Sequence, residues 1–306
     1  MKIFCSDHFA LPLPQGHRFP IEKYSLLHQG VLEAGLVNES SLLVPEPASQ
    51  DQLTLVHDQD YVRRVFHGEL TEKEIRRIGF PWSPELVERS RRSVGGTIAA
   101  CRSALEDGIS VNLAGGTHHA YADHGEGYCV FNDCAVAARV MQVESRLRRV
   151  VILDCDVHQG NGTAAIFSHD SSVFTFSIHA AKNFPFHKEA SDLDIALPDG
   201  VQDEQYLEAL QAGAQRSLEL AQAELAIYLA GADPFKEDRL GRLSLSKDGL
   251  AQRDRLILEL CKANGVPVAV TMSGGYGQNV EDTVGIHLQT VRSAVELYQT
   301  RKAVPQ

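Results

Sequence analysis

The chain has 306 residues, of which 43% are hydrophobic and 23% charged, an ordinary globular composition. Its 29 basic and 40 acidic residues give a formal net charge of −11, which argues against nucleic-acid binding and favours a cationic substrate. The N-terminal segment lacks the apolar core of a signal peptide, and no apolar run is long enough to cross a bilayer. We therefore expect a cytoplasmic protein without a membrane partner.

The chain carries no linker composition, low-complexity tract or repeat, which predicts a single domain over residues 1–306. Its six cysteines form no CxxC pair, so reduced thiols are expected. Two basic runs, at 88–92 and 146–149, are expected to be solvated helix faces. Oligomeric state is left open by these features.

Five apolar runs stop abruptly at polar or glycine-rich segments, which is typical of strands buried on both faces. These runs are 109–113, 150–153, 173–178, 225–229 and 266–272. Apolar residues at helical spacing predict helices over 204–224 and 246–264, the second capped by Ser246. Alternating strands and helices indicate an α/β fold with a central parallel sheet, whose site lies beyond the carboxyl ends of its strands.

The segment DCDVH follows the second of these runs. In an extended backbone Asp154, Asp156 and His158 share one side, and two carboxylates beside an imidazole are unfavourable without a cation. A catalytic metal needs a third protein ligand and an open position. Asp233, at the next predicted strand end, is the candidate for that ligand. The alternative is a carboxylate–histidine pair that caps a loop.

Two further segments supply groups that can move protons or donate hydrogen bonds. His118 and His119 follow the Gly115–Gly116 pair, and an imidazole near neutral pH suits proton transfer. In SGGYG, the glycines allow close backbone approach, and Tyr276 could stabilise an oxyanion. The alternatives are loop histidines with ordinary hydrogen bonds, a packing tyrosine, or a phosphate-binding nest that lacks the usual P-loop spacing. Together these groups predict metal-assisted hydrolysis of an amide-like bond.

Six ordered motifs, GGTHHA, GEGYCVFND, ILDCDVHQGNG, FSIHA, GADPF and SGGYG, resemble those of the zinc-dependent histone deacetylase family. The resemblance runs from about residue 17 to residue 277. DVHQGNG, HRFP and DRLGRLSLS make the chain most similar to the class IV branch and its bacterial relatives. The resemblance implies an arginase/deacetylase-like fold with about eight parallel strands.

The resemblance implies a role for each matching residue. The implied catalytic set is His119 as general base and acid, His118 as its electrostatic partner, Asp154, Asn161, and Tyr276 as donor to the substrate carbonyl. The implied zinc ligands are Asp156, His158 and Asp233. Substrate would contact Gly127, Tyr128, Leu240, Gly274 and Gly275. One structural potassium ion would involve Asp154, Asp156, His158, Ser177 and Ile178, and a second would involve Phe167, Asp170 and Val173.

Some positions depart from the class I pattern or carry no aligned role. Asn161 replaces an aspartate, so His119 loses a charged partner and should more easily be neutral. Cys155 is expected to face the core. Segments 183–188 and 79–84, which includes Trp82, look like loops at the rim of the site. An Asp-His-Asp ligand set would also accept iron(II) in place of zinc.

The resemblance implies removal of acetyl or longer acyl groups from lysine in proteins or peptides. An acetylpolyamine amidohydrolase is one alternative, although the polyamine-selective pattern has a glutamate at the position of Leu240. An arginase-like ureohydrolase is disfavoured because Gly160 stands where a second metal would need a ligand. A catalytically silent acyl-lysine binding protein would be expected to lack a key group, and none is lacking.

Overall fold

A computed structural model describes residues 1–9, 11–145 and 147–302 of the chain. In these residues one sheet of eight parallel strands has the order β2-β1-β3-β8-β7-β4-β5-β6. Its strands are β1 (Ile3–Phe4), β2 (Leu42–Leu43), β3 (Ile109–Asn112), β4 (Val150–Asp154), β5 (Val173–Ala180), β6 (Leu193–Leu197), β7 (Leu225–Leu229) and β8 (Val268–Thr271). The predicted parallel α/β architecture is confirmed.

Ten α-helices and one short 3₁₀ helix (Glu39–Ser41) connect and cover these strands in the described residues. The α-helices are α1 (Lys23–Glu33), α2 (Gln50–Leu53), α3 (Gln59–His67), α4 (Glu72–Ile78), α5 (Pro84–Asp107), α6 (Asp133–Ser145), α7 (Asn161–Phe167), α8 (Asp203–Ala221), α9 (Lys247–Ala263) and α10 (Val280–Lys302). Two clusters of buried apolar side chains fill the space between the helices and the sheet. Burying both faces explains the continuous apolar runs of the central strands.

The predicted strands and helices agree with β3, β4, β5, β7, β8, α8 and α9. The cap of α9 is also as predicted, since Ser246 Oγ accepts a hydrogen bond from Gly249 N at 2.9 Å. Three strands were not predicted. β1 and β2 have two residues each, and β6 is a partly exposed edge strand, so none forms a long apolar run.

The expectation that both basic runs are solvated helix faces is wrong. Residues 88–92 lie on α5 and are half-buried or buried. Arg91 Nε donates to Ala48 O at 2.9 Å, and Arg92 Nη1 donates to Pro45 O at 2.6 Å. These bonds hold segment 45–48 against α5. In the second run, Arg146 lies outside the described residues, and 147–149 form the loop before β4 rather than a helix.

The six cysteines are all buried free thiols, as expected. Cys155 packs in the apolar core, also as expected. Across the parts of the chain that the structure describes, no helix combines the length and apolar character required to cross a membrane.

Candidate active site

The candidate site lies where four neighbouring strands end. β3, β8, β7 and β4 are adjacent in the sheet, and parallel strands present their carboxyl ends at one edge. The segments that follow them carry the chemistry-bearing residues: 113–121 after β3, 272–277 after β8, 230–233 after β7 and 155–160 after β4. Sheet order therefore gathers residues separated by more than a hundred positions in the chain.

His118 is buried against a carboxylate. Its Nδ1 lies 2.6 Å from Asp154 Oδ2, and its Nε2 lies 3.8 Å from Asp156 Oδ1. Burial alone would lower the pKa of His118, but the charges of Asp154 and Asp156 raise it to about 9. The two carboxylates therefore favour the charged form of His118. The expected contact with Asp154 is present.

His119 has an uncharged partner. Its Nδ1 lies 2.6 Å from Asn161 Oδ1, while Asn161 Nδ2 donates to Glu126 Oε2 at 3.2 Å. A carboxylate can only accept, so Glu126 fixes the orientation of the Asn161 amide. His119 Nδ1 must then carry the hydrogen, which leaves Nε2 as the free base. Burial and the charges of His118 and His158 hold the pKa of His119 well below its usual range.

The histidine loop is held by two residues whose role the sequence reading missed. Asp133 accepts from Gly116 N at 3.0 Å and from Thr117 N at 2.7 Å. Asn132 Nδ2 donates to Ala120 O at 3.1 Å. Both belong to the FND end of GEGYCVFND, and their hydrogen bonds fix the backbone on either side of His118 and His119.

Asp156 and His158 converge with Asp233, the candidate that the sequence offered at the end of another strand. Their ligand atoms all lie within 4.8 Å of one another. His158 Nδ1 is 3.0 Å from Asp156 Oδ1 and 3.2 Å from Asp233 Oδ2. Gly274 sits directly beside them, since a Cβ there would lie 2.0 Å from Asp233 Oδ2. Only glycine allows the backbone so close to these carboxylates.

This donor set fits a divalent metal such as zinc. Asp233 Oδ2 is fully buried and, although His158 Nδ1 lies 3.2 Å away, it accepts no hydrogen bond of good geometry, which is unfavourable unless a cation satisfies it. Burial and the charge of Asp156 raise the pKa of Asp233 to about 7. One imidazole and two carboxylates match the three protein ligands of a catalytic zinc site.

Tyr276 closes one side of the same pocket. Burial and the charges of Asp233 and Asp156 raise its pKa well above the usual range, so its hydroxyl remains a donor. Asp238, which the sequence reading missed, accepts from Tyr276 N at 2.6 Å and from Leu240 N at 2.8 Å. Buried Lys23 donates to Ser273 O at 3.3 Å and lies 5.3 Å from the centre of the Tyr276 ring.

An outer cavity of about 570 Å³ leads to these groups. Gly127, Tyr128 and Leu240 line it together with His119, His158 and Tyr276. A Cβ at Gly127 would lie 2.8 Å from His119 Cδ2, so glycine lets this turn pack against the histidine. A smaller space of about 40 Å³ continues past His118 and Gly274 to Arg89.

Two rim and substrate expectations need correction. Gly275 lies behind the pocket wall, since a Cβ there would meet Thr283 and Ala232 rather than the cavity. Of the expected rim segment 79–84, Gly79 lines the cavity, whereas Trp82 does not, because its indole packs near Gly68 and its Nε1 donates to Val65 O at 2.7 Å. Segment 183–188 does reach the mouth, through Asn183, Phe184 and Phe186.

The residues implied for potassium lie in two places. Ser177 pairs with Asp154 between β5 and β4, with Ile178 next to it, close to Asp156 and His158. Phe167, Asp170 and Val173 form the turn between α7 and β5, where Asp170 N donates to Phe167 O at 2.9 Å. The Asp170 carboxylate pairs with Arg139. An ion there would therefore depend on main-chain oxygens.

Comparison with known proteins agrees with this fold. A family model described as the histone deacetylase domain matches residues 17–291. An uncharacterized protein of Picosynechococcus is 44% identical over 95% of this chain and 97% of its own length. Histone deacetylase 2 of Arabidopsis thaliana is 29% identical over 93% of this chain and 76% of its length. A crystal structure of an HDAC homolog from Aquifex aeolicus superposes with a TM-score of 0.83 at 24% identity, covering 97% of this chain and 84% of that one.

The sheet and its strand-end site define an α/β protein of the arginase/deacetylase fold. Because the family model spans nearly the whole chain, the chain belongs to the histone deacetylase family and is a hydrolase of the deacetylase type. That family generally uses zinc, and Asp156, His158 and Asp233 form a group that could hold such an ion.

Proposed function

We propose that the chain, as a single catalytic domain, is a zinc-dependent lysine deacylase that removes acetyl or longer acyl groups from proteins or peptides. One observation carries the proposal: Asp156, His158, Asp233, His119 and Tyr276 all border one narrow pocket. The outer cavity lined by Gly127, Tyr128 and Leu240 suits the methylene stem of the lysine.

The proposed chemistry divides among the side chains of the pocket. Zinc held by Asp156, His158 and Asp233 would polarise the acyl carbonyl and acidify water. His119 Nε2 takes a proton from the attacking water and returns it to the leaving lysine nitrogen. Tyr276 donates to the carbonyl oxygen as negative charge develops there.

His118 supports His119 without replacing it. Its ring centre lies 4.2 Å from that of His119, and Asp154 keeps it charged. A fixed positive charge at this distance opposes protonation of His119 at rest and favours the developing oxyanion. We also propose two structural potassium ions. The first would be held by Asp154, Asp156, His158, Ser177 and Ile178, and the second by Phe167, Asp170 and Val173.

The alternatives fit the site less well. Leu240 offers no charge to the second nitrogen of an acetylpolyamine. A silent binding protein would need neither the His119–Asn161 hydrogen bond nor Tyr276 beside His119 in the same pocket.

Turnover assays test the proposal directly. Acetyl-, longer-acyl- and trifluoroacetyl-lysine peptides and N-acetylputrescine are incubated with the purified protein, and products are quantified by mass spectrometry. Chelator-treated protein is then reconstituted with zinc or iron(II). We expect lysine peptides to be hydrolysed faster than N-acetylputrescine, with loss of turnover on metal removal. Activity that survives complete metal removal would exclude the metal-dependent chemistry, and preferred hydrolysis of N-acetylputrescine would favour the polyamine alternative.

A further inference from the structure

The mouth of the outer cavity is bordered by basic side chains from three separate segments. We call this group the basic rim, and it consists of Arg76, Arg77, Lys182, Arg239 and Arg242. All five are exposed. Among the described residues that line this cavity, Glu126 is the single carboxylate, and it already accepts from Asn161. The mouth is therefore positive in a chain whose net charge is −11.

Most of this charge is not neutralised by neighbours. In the described parts of the chain, no carboxylate oxygen forms an ion pair with Arg77, Lys182 or Arg239 within 4.0 Å. Arg76 and Arg242 do pair with Glu72 and Asp199, each at 3.2 Å. Both of those pairs are exposed, so the two cations can exchange partners at little cost.

An apolar platform adjoins the basic rim. Phe186 lines the cavity mouth with 84% of its surface exposed, the largest exposed fraction recorded for a bulky apolar side chain in the described residues. Its ring meets that of Phe184, which in turn packs against His119. A solvated aromatic ring next to unpaired cations is typical of a surface that binds a polypeptide.

We propose that the basic rim binds acidic residues that flank the acyl-lysine, so that preferred substrates are acidic protein segments. This inference rests on the proposed lysine deacylase function. A lysine whose stem fills the outer cavity places its own backbone at the mouth, and neighbouring residues follow at about 3.5 Å per residue. Acidic side chains at those positions meet the basic rim, whereas a basic tail or a polyamine is repelled. This proposal departs from the expectation of a cationic substrate, which rested on the net charge of the whole chain rather than on the charge at the cavity mouth.

A nucleic acid is a less suitable anion for this surface. A phosphate polymer makes contacts along an extended basic stripe, and beyond the basic rim the surface carries the excess acid of a chain with net charge −11. A short acidic segment on either side of one lysine matches the size of the charged patch.

Matched peptides test the inference. Three peptides share one acetyl-lysine core. The residues that flank it are Asp and Glu in the acidic peptide, uncharged in the neutral peptide, and Lys and Arg in the basic peptide. Their kcat/KM values and binding, by fluorescence anisotropy, are measured at low and high salt. We expect kcat/KM for the acidic peptide to exceed that for the basic peptide by on the order of ten-fold. This difference should shrink at high salt. The double variant that combines Arg77→Glu and Lys182→Glu should abolish or reverse the preference for the acidic peptide.

The control is Arg148→Glu with Arg255→Glu, which makes the same charge change at exposed residues outside the cavity. It should retain the preference. Hydrolysis of all three peptides at equal rates, or equal loss of preference in the control, would overturn the basic rim assignment and leave the proposed function intact. Binding with the expected preference but without hydrolysis would support the rim and contradict the proposed function. Tighter binding of a single-stranded oligonucleotide than of the acidic peptide would overturn the assignment in favour of nucleic acid.

Discussion

The buried floor of the site and its exposed mouth carry opposite charge. The floor holds Asp154, Asp156 and Asp233, each no more than 2% exposed, whereas the mouth holds the solvated basic rim. In the low-dielectric floor a single charge shifts neighbouring pKa values strongly. At the mouth water screens each charge, so many weak contacts act together. We therefore expect chemistry to depend on the floor and substrate choice on the mouth.

Loss of the free base should be the most damaging change to the floor. His119→Ala removes Nε2, which has no substitute within the site, and we expect kcat to fall by about 10²–10⁴-fold. Zinc content, measured by elemental analysis, should stay at the wild-type level because Asp156, His158 and Asp233 remain. His67→Ala, at an exposed position at the end of α3, is the control. Retained turnover in His119→Ala would exclude its role as proton carrier.

Removing the hydroxyl of Tyr276 should have the next largest effect. Tyr276→Phe keeps the ring, its packing and the Asp238 hydrogen bond to the backbone, so the loss is confined to one donor. We expect kcat to fall by about 10²–10³-fold, with a smaller change in KM. A proportional rise in KM with unchanged kcat would instead indicate that the hydroxyl only binds substrate.

The pH profile tests why the two neighbouring histidines differ. In the wild type, burial and then the charges of His118 and His158 hold the pKa of His119 low. His119 should therefore stay unprotonated down to about pH 6.5, the ordinary pKa of a histidine, and its titration should not lower kcat/KM above that pH. Asn161→Asp gives His119 a charged partner, which raises its pKa. As pH falls through that raised pKa, the base is protonated, so the acidic limb should move upward by about one pH unit.

A second variant controls for a side effect of Asn161→Asp. The carboxylate introduced by Asn161→Asp would face Glu126 across the 3.2 Å contact now made by the Asn161 amide, and the two carboxylates would repel. Combining Asn161→Asp with Glu126→Gln restores a donor to that contact. An acidic limb that stays in place in both variants would contradict the account of His119.

The floor was predictable from sequence, whereas at the mouth segment 183–188 was expected and the basic rim was not. Each floor motif directly follows a core strand, so the parallel topology alone brings His118, Asp156, Asp233 and Tyr276 together. The basic rim comes from α4 and from the loops after β5 and β7. No periodicity relates these segments, and their meeting depends on loop conformation.

Supporting contacts beneath the floor were also beyond the sequence reading. Arg253 is fully buried on α9, pairs with Asp254 at 2.8 Å, and contacts the carbonyl oxygens of Cys155 and Gly231. Cys155 lies one residue before Asp156, and Gly231 lies two residues before Asp233, both of which are proposed zinc ligands. From sequence alone, two charged residues in the middle of a helix predict a solvated face. Here tertiary packing buries them instead.

The smallest expected effect concerns charge at the mouth. Leu240→Glu adds a carboxylate to the cavity wall while the bonds from Leu240 N to Asp238 and from Asn183 to Leu240 O involve only the backbone of residue 240. We expect kcat/KM to rise a few-fold for N-acetylputrescine and to fall a few-fold for an acidic acetyl-lysine peptide. The effect stays small because Arg239 and Arg242 remain beside the new charge and water screens it. Leu240→Gln has nearly the same shape without charge, so an equal change in both variants would mean that the shape of the wall, rather than its charge, selects the substrate.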